Sequence, residues 1–239
     1  MLTKNKIKFA RSLRSKKERY SHNCFIIEGE KIVNEALRSQ IVINEVIGLN
    51  SFAESIDNKL FTIASEKDLK NMSALKHSPG VMAIANFIDW GELNTDSGKY
   101  ILLDNVNDPG NLGTIIRIAD WFGFDGVICS LSTVDVYNQK VVQASMGSLF
   151  RIPVWYKDLK KVIKDSSLTT IAAVMNGEDF SDFTFPESGF LLMGSESHGI
   201  SDELTLLIDN PLTIPRLGKA ESLNVSVAAG ILCQAFSTK

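Results

Sequence analysis

Short apolar runs alternate with stretches of helical spacing along most of this chain. Residues 3–20 are rich in good helix formers and predict one helix. Residues 24–27 form an apolar run closing at Glu28-Gly29, which predicts a strand. From Glu30 to Arg38, apolar Ile32, Val33, Ala36 and Leu37 fall at helical spacing. Strands are predicted over 43–47, 60–64 and 81–87, and Ser65 with Asp68 three residues on opens a helix. This alternation is the rhythm of a small α/β layer domain.

The polar, turn-rich stretch DWGELNTDSG at 89–98 reads as a linker. The predicted division is a domain over 1–90, a linker over 91–98 and a second domain over 99–239. Beyond the linker the alternation strengthens. Residues 100–103 read as a buried strand, and 109–122 as a helix with Leu112, Ile115, Ile116, Ile118 and Ala119 inward. Strands follow at 127–129, 152–155, 168–175 and 190–193, with helices over 141–150, around Leu159, Val162 and Ile163, and over 223–236. Strands this apolar need cover on both faces, so a mostly parallel sheet between helices is expected.

Composition adds exclusions. Hydrophobic residues make up 44% and charged residues 22%, an ordinary globular balance. Apolar stretches fall short of the roughly 18 residues a membrane span needs. No apolar segment follows the basic start, so no signal peptide is read and the cytoplasm is expected. Cys24, Cys129 and Cys233 lie far apart, with no CxxC pair, and the three histidines are dispersed, so no metal is expected. The net charge of −3 argues against a polyanion, but it hides an asymmetry. Residues 1–20 carry Lys4, Lys6, Lys8, Arg11, Arg14, Lys16, Lys17 and Arg19 against the single acid Glu18. A basic segment on an acidic body fits contact with nucleic acid, but on charge alone a solvated amphipathic helix fits slightly better.

Polar residues and glycines collect at three strand ends, where open α/β sheets bind ligands. The first is Asp104 to Gly113, followed by a helix holding Arg117 among apolar neighbours. Such an arginine needs either an acidic partner or a ligand. Asn111 and Arg117, six apart, do not share a helix face and converge only if Asn111 precedes the helix. The second is Met193 to Ser201, with Gly194, Glu196 and His198. The third runs from Ile214 through Pro215 and Gly218 to Ser222, Leu223 and Asn224 at a helix start. No GxxxxGK[ST] phosphate loop, early GxGxxG or GxSxG elbow occurs.

The segments NVNDPGNLGTIIRIADWFGFDGVI, LLMGSESHGIS and LTIPRLGKAESLNVSVAAGIL, in this order, resemble the three motifs of the SpoU/TrmH family of RNA 2′-O-ribose methyltransferases, in the SPOUT superfamily. The opening KIKFARSLRSKKERYSHNCFIIEGEKIVNEAL resembles that family's extra N-terminal substrate-binding domain, which is similar to a ribosomal RNA-binding protein. One departure is Ser197-His198, where much of the family has a second glycine.

The resemblance implies a SPOUT α/β domain with a deep trefoil knot, a homodimer, and S-adenosylmethionine held near Val174, Met175, Gly194, Ile214 and Leu223. It implies a catalytic set of Arg117, Asn111, Glu196, Ser222 and Asn224, with Arg117 able to act across the dimer. Lys8, Arg11, Arg14, Lys16, Lys17 and Arg19 would contact RNA. The implied reaction is methyl transfer to a ribose 2′-hydroxyl of ribosomal RNA. A transfer-RNA substrate and a non-catalytic RNA-binding or ribosome-assembly factor are the alternatives, and a dinucleotide fold using NAD is a third.

Overall fold

In the computed structural model, which describes residues 2–56, 60–75, 77–195 and 197–238, the basic start forms two helices instead of the single one that its composition predicts. These are α1 (Lys4–Ser12) and α2 (Lys16–His22). The break follows from Leu13, which is fully buried in the local core. Arg19 Nη1 donates to the carbonyls of Leu13 (3.0 Å) and Arg14 (2.8 Å), meeting acceptors that a helix end leaves open.

The chain continues through β1 (Cys24–Glu28), α3 (Glu30–Arg38), β2 (Ile43–Gly48), β3 (Phe61–Ile63), α4 (Glu66–Met72) and β4 (Val81–Asn86). Ser65 caps α4 as expected, its Oγ accepting from Asp68 N at 3.2 Å. The four strands pair in the order β1-β4-β2-β3, with only β2 and β3 parallel. Leu13, Ile26, Ile47, Leu69, Met72 and Met82 fill the core of this first unit.

The second unit begins with β5 (Lys99–Leu103), α5 (Pro109–Phe122) and β6 (Gly126–Cys129). Residues 135–150, with α6 (Gln139–Ser145), then join the first unit, which corrects their expected place in the second domain. The cause is a set of partners far away in sequence. Asp135 pairs with buried Arg19. Tyr137 stacks on Phe87 with centroids 4.0 Å apart and lies against Phe25. Gln139 Nε2 donates to the Glu28 carboxyl (3.1 Å) and Gln143 Nε2 to the Glu28 carbonyl (2.7 Å).

The second unit resumes with β7 (Val154–Tyr156), α7 (Leu159–Asp165), β8 (Thr170–Asp179), β9 (Gly189–Met193), α8 (Asp202–Thr205), β10 (Asn210–Thr213) and α9 (Val225–Ser237). Its six strands are all parallel, in the order β10-β8-β9-β5-β6-β7. β5 and β9 are neighbours from which the order runs outward in both directions, so their carboxyl ends flank a switch point. The β8–β10 register jumps, Pro211 facing Ala172 and Leu212 facing Glu178, so residues 173–177 bulge from the ladder. Gly177 permits this approach, since a Cβ there would lie 2.5 Å from the Pro211 carbonyl oxygen.

Candidate active site

The three strand-end loops meet at the carboxyl edge of the parallel sheet. Asp104, buried directly after β5, joins the first two. Its N–H donates to the Met193 carbonyl (2.9 Å) and its Oδ2 accepts from Ser201 N (2.8 Å). Sequence spacing gives Asp104 no role; its only signal is an acid placed directly after a fully apolar strand. In the second loop, Ser195 and Gly199 exchange backbone hydrogen bonds of 3.0 and 2.9 Å. A Cβ on Gly194 would lie 2.2 Å from the Gly199 carbonyl carbon, so this turn closes only with glycine. His198 Nδ1 lies 2.7 Å from Ser197 Oγ on the exposed side of the turn. Glu196 lies outside the described residues.

In the third loop the helix cap is Asn224. Asn224 Oδ1 accepts from Ser226 N (2.9 Å) and Ser226 Oγ (2.6 Å), meeting the open end of α9. Its Nδ2 donates to Asn111 Oδ1 at 3.0 Å. Two members of the expected polar set are thus joined, and the first and third loops with them. Asp108 caps α5 by accepting from Asn111 N (2.9 Å), which puts Asn111 inside the first turn of that helix. Asn111 and Arg117 therefore stay on different faces of α5.

A cavity of about 530 Å³ opens between the ends of β8, β9 and β10, within the usual range for a small-molecule site. All five expected cofactor residues, Val174, Met175, Gly194, Ile214 and Leu223, line it, and so does Ser222. The β8 bulge supplies Val174 and Met175, and Thr213 Oγ1 holds the bulge through the Met175 carbonyl at 3.1 Å. Apolar walls with a close-packed backbone turn suit a flat purine and a backbone-read nucleoside. Arg117 does not line this cavity. It is exposed on α5 and makes no hydrogen bond or ion pair among the described residues. An acidic partner for Arg117 is thus absent among them.

The basic segment divides by role. Lys8, Arg11, Lys16 and Lys17 are exposed. Lys4, Lys8 and Arg11 share one stripe of α1 and line a cleft of about 240 Å³ with Ile7. Lys4 falls outside the expected RNA-contact set. Arg14 and Arg19 make hydrogen bonds within the first unit. The Arg14 guanidinium closes the end of α4, donating to the carbonyls of Asn71 (3.4 Å), Met72 (2.9 Å) and Ser73. Arg19 is 3% exposed and ion-paired to Asp135, so it cannot reach a phosphate without leaving the core.

The three thiols are buried, and burial pushes those of Cys129 and Cys233 far up, so neither is a nucleophile. Among the described residues no cluster of three metal-binding side chains occurs, and no helix is long and apolar enough to cross a membrane.

Residues 98–234 match the SpoU rRNA Methylase family, and residues 4–83 match the MRM3-like substrate binding domain. The chain is 34% identical over 233 residues to the 23S rRNA (guanosine(2553)-2′-O)-methyltransferase RlmP of Bacillus subtilis, covering 95% of this chain and 94% of that one. A solved structure of the TrmH family from Porphyromonas gingivalis superposes with a TM-score of 0.90 at 34% identity, over 99% of this chain and 98% of the other. An AdoMet-bound rRNA methyltransferase from Sinorhizobium meliloti gives 0.89 at 30% identity, over 99% and 95%. The motif order, the parallel sheet with its strand-end cavity, and these matches together make the chain a member of the SpoU rRNA methylase family.

Proposed function

We propose that this protein transfers the methyl group of S-adenosylmethionine to a ribose 2′-hydroxyl of ribosomal RNA. The observation that carries the reading is the cavity at the carboxyl ends of β8, β9 and β10, lined by all five residues expected to hold that cofactor. The names of the full-length relatives support the same chemistry.

Bound in that cavity, the cofactor supplies a methyl group made electrophilic by its sulfonium. The residues of the chain do the rest. Val174, Met175, Ile214 and Leu223 form the walls for the nucleoside, and the Gly194 turn brings backbone close to it. Arg117 binds the 2′-oxygen and an adjacent phosphate and stabilises negative charge as it develops. It does not serve as the base, because a guanidinium keeps its proton. The Asn111–Asn224 bond fixes the start of α9, and with it the loop carrying Ser222 to the rim. Glu196 keeps the role that the resemblance gives it, orienting Arg117 or the substrate.

Arg117 is exposed and does not line its own chain's cavity, which fits an arginine that serves the cavity of a second copy in a homodimer. Helices α5 and α9 pack on each other and leave Trp121 (81% exposed) and Val227 (51%) uncovered for such a contact. In this reading the second and third loops form a trefoil knot around the cofactor site. The first unit recruits RNA through Lys4, Lys8, Arg11, Lys16 and Lys17, residues 91–98 link it to the catalytic part, and the enzyme acts in the cytoplasm.

Arg117→Ala tests the assignment. Removing a charge-stabilising group costs a hundredfold or more in rate, as a rough guide. The variant should lose methyl transfer to that extent while S-adenosylmethionine affinity, measured by calorimetry, stays unchanged. Full activity in Arg117→Ala would remove this residue from the mechanism.

A further inference from the structure

Among the described residues lining the cofactor cavity, only Arg216 and Glu221 carry charge. They lie on the exposed loop between β10 and α9, five positions apart and of opposite sign. Arg216 uses Nη1 to hold the Ala220 carbonyl at 3.3 Å, which curls the loop and leaves the rest of its guanidinium open. Among the described residues, Glu221 makes no hydrogen bond and neither residue forms an ion pair. Among the described residues, a cation and an anion with no ionic partner stand at the mouth of a pocket otherwise lined by neutral side chains.

The ligand that matches this pattern has an apolar flat end and a zwitterionic end. S-adenosylmethionine has both: an adenine, and an amino-acid tail carrying a carboxylate and an ammonium. We infer that Arg216 and Glu221 form the subsite for that tail, Arg216 taking the α-carboxylate and Glu221 the α-ammonium. This inference rests on the cofactor reading above and adds to it the residues that separate the full cofactor from tail-less adenosyl thioethers. A guanidinium suits the carboxylate because its N–H groups can meet both oxygens at once. Because both groups are exposed, their contribution is modest and falls with salt.

Calorimetric titration of the full chain tests this with two ligands. S-adenosylhomocysteine keeps the amino-acid tail, and methylthioadenosine shares the adenosyl thioether but lacks it. Arg216→Met should weaken S-adenosylhomocysteine by about tenfold, the scale of one charge-assisted bond. It should leave methylthioadenosine unchanged, and Arg216→Lys should restore part of the loss. Glu221→Gln should show the same selectivity. Equal weakening of both ligands, or no change in either, would overturn the inference while leaving the cofactor reading standing. Failure of the unaltered protein to bind S-adenosylhomocysteine at all would overturn both.

Discussion

Glu28 ends β1 with its carboxyl 2% exposed, accepting from Ser73 Oγ (2.6 Å), Ala74 N (3.3 Å) and Gln139 Nε2 (3.1 Å). Desolvation raises its pKa above the usual 4.5, opposed by the bonds from Ser73 and Ala74 and by the charge of Arg14. The folded state thus prefers the protonated form. Its stabilising contribution is complete below the ordinary glutamate range and is lost as pH rises through the raised folded value. Glu28→Gln can accept the same bonds from Ala74 and Gln139 and turn Ser73 into an acceptor. Urea unfolding of this variant should therefore show a smaller decline with rising pH than the unaltered chain; an identical slope in both would rule out a contribution from Glu28. At this scale the strand ends marked where polar residues and glycines collect, and the motifs named individual residues there. Val174, Gly194, Ile214 and Leu223 were named by the family resemblance, and they line one cavity. The bonds of Arg14 and Arg19 were not legible, because a run of basic residues does not reveal which ones bind other parts of the fold. Their partners, the α4 carbonyls and Asp135, lie about 60 and 116 positions away.

Among the elements, α1 and the β8 bulge carry most of the functional consequence. The break at Leu13 frees α1 to present Lys4, Lys8 and Arg11 as one stripe, while Arg14 and Arg19 go to holding the fold. Each phosphate neutralised on a single strand contributes roughly 0.7 to the slope of log affinity against log salt. The double variant Lys8→Ala/Arg11→Ala should reduce that slope for ribosomal RNA by about 1.4. Arg14→Ala should leave it unchanged, as followed by filter binding across a salt series. The reverse ranking would move the RNA surface away from α1. Helix and strand periodicity located nearly every element, since each packs a continuous apolar face. The bulge at 173–177 was invisible to it, because a register jump depends on Pro211 and Leu212 in another strand. The placement of α6 was hidden for the same reason: Gln139 and Gln143 find Glu28 across more than a hundred residues.

For the whole molecule, the division of charge now has a physical account. The basic excess sits in the first unit, where Lys4, Lys8, Arg11, Lys16 and Lys17 are exposed, and the second unit carries the cavity proposed for a cofactor cationic at sulfur. The proposed homodimer makes a prediction of its own. Val227→Glu places a charge on the exposed apolar position of α9 and should convert a dimer to a monomer in analytical ultracentrifugation, with methyl transfer lost as Arg117 is withdrawn from its partner. A monomer that keeps full activity would confine catalysis to one chain. The most direct measurement is transfer of a tritiated methyl group from S-adenosylmethionine to purified ribosomal RNA, followed by alkaline hydrolysis. Methylation at the ribose 2′-oxygen blocks cleavage at that linkage, so the label should appear in an alkali-resistant dinucleotide. Label released as a mononucleotide, or no incorporation by protein that binds both cofactor and RNA, would contradict the account.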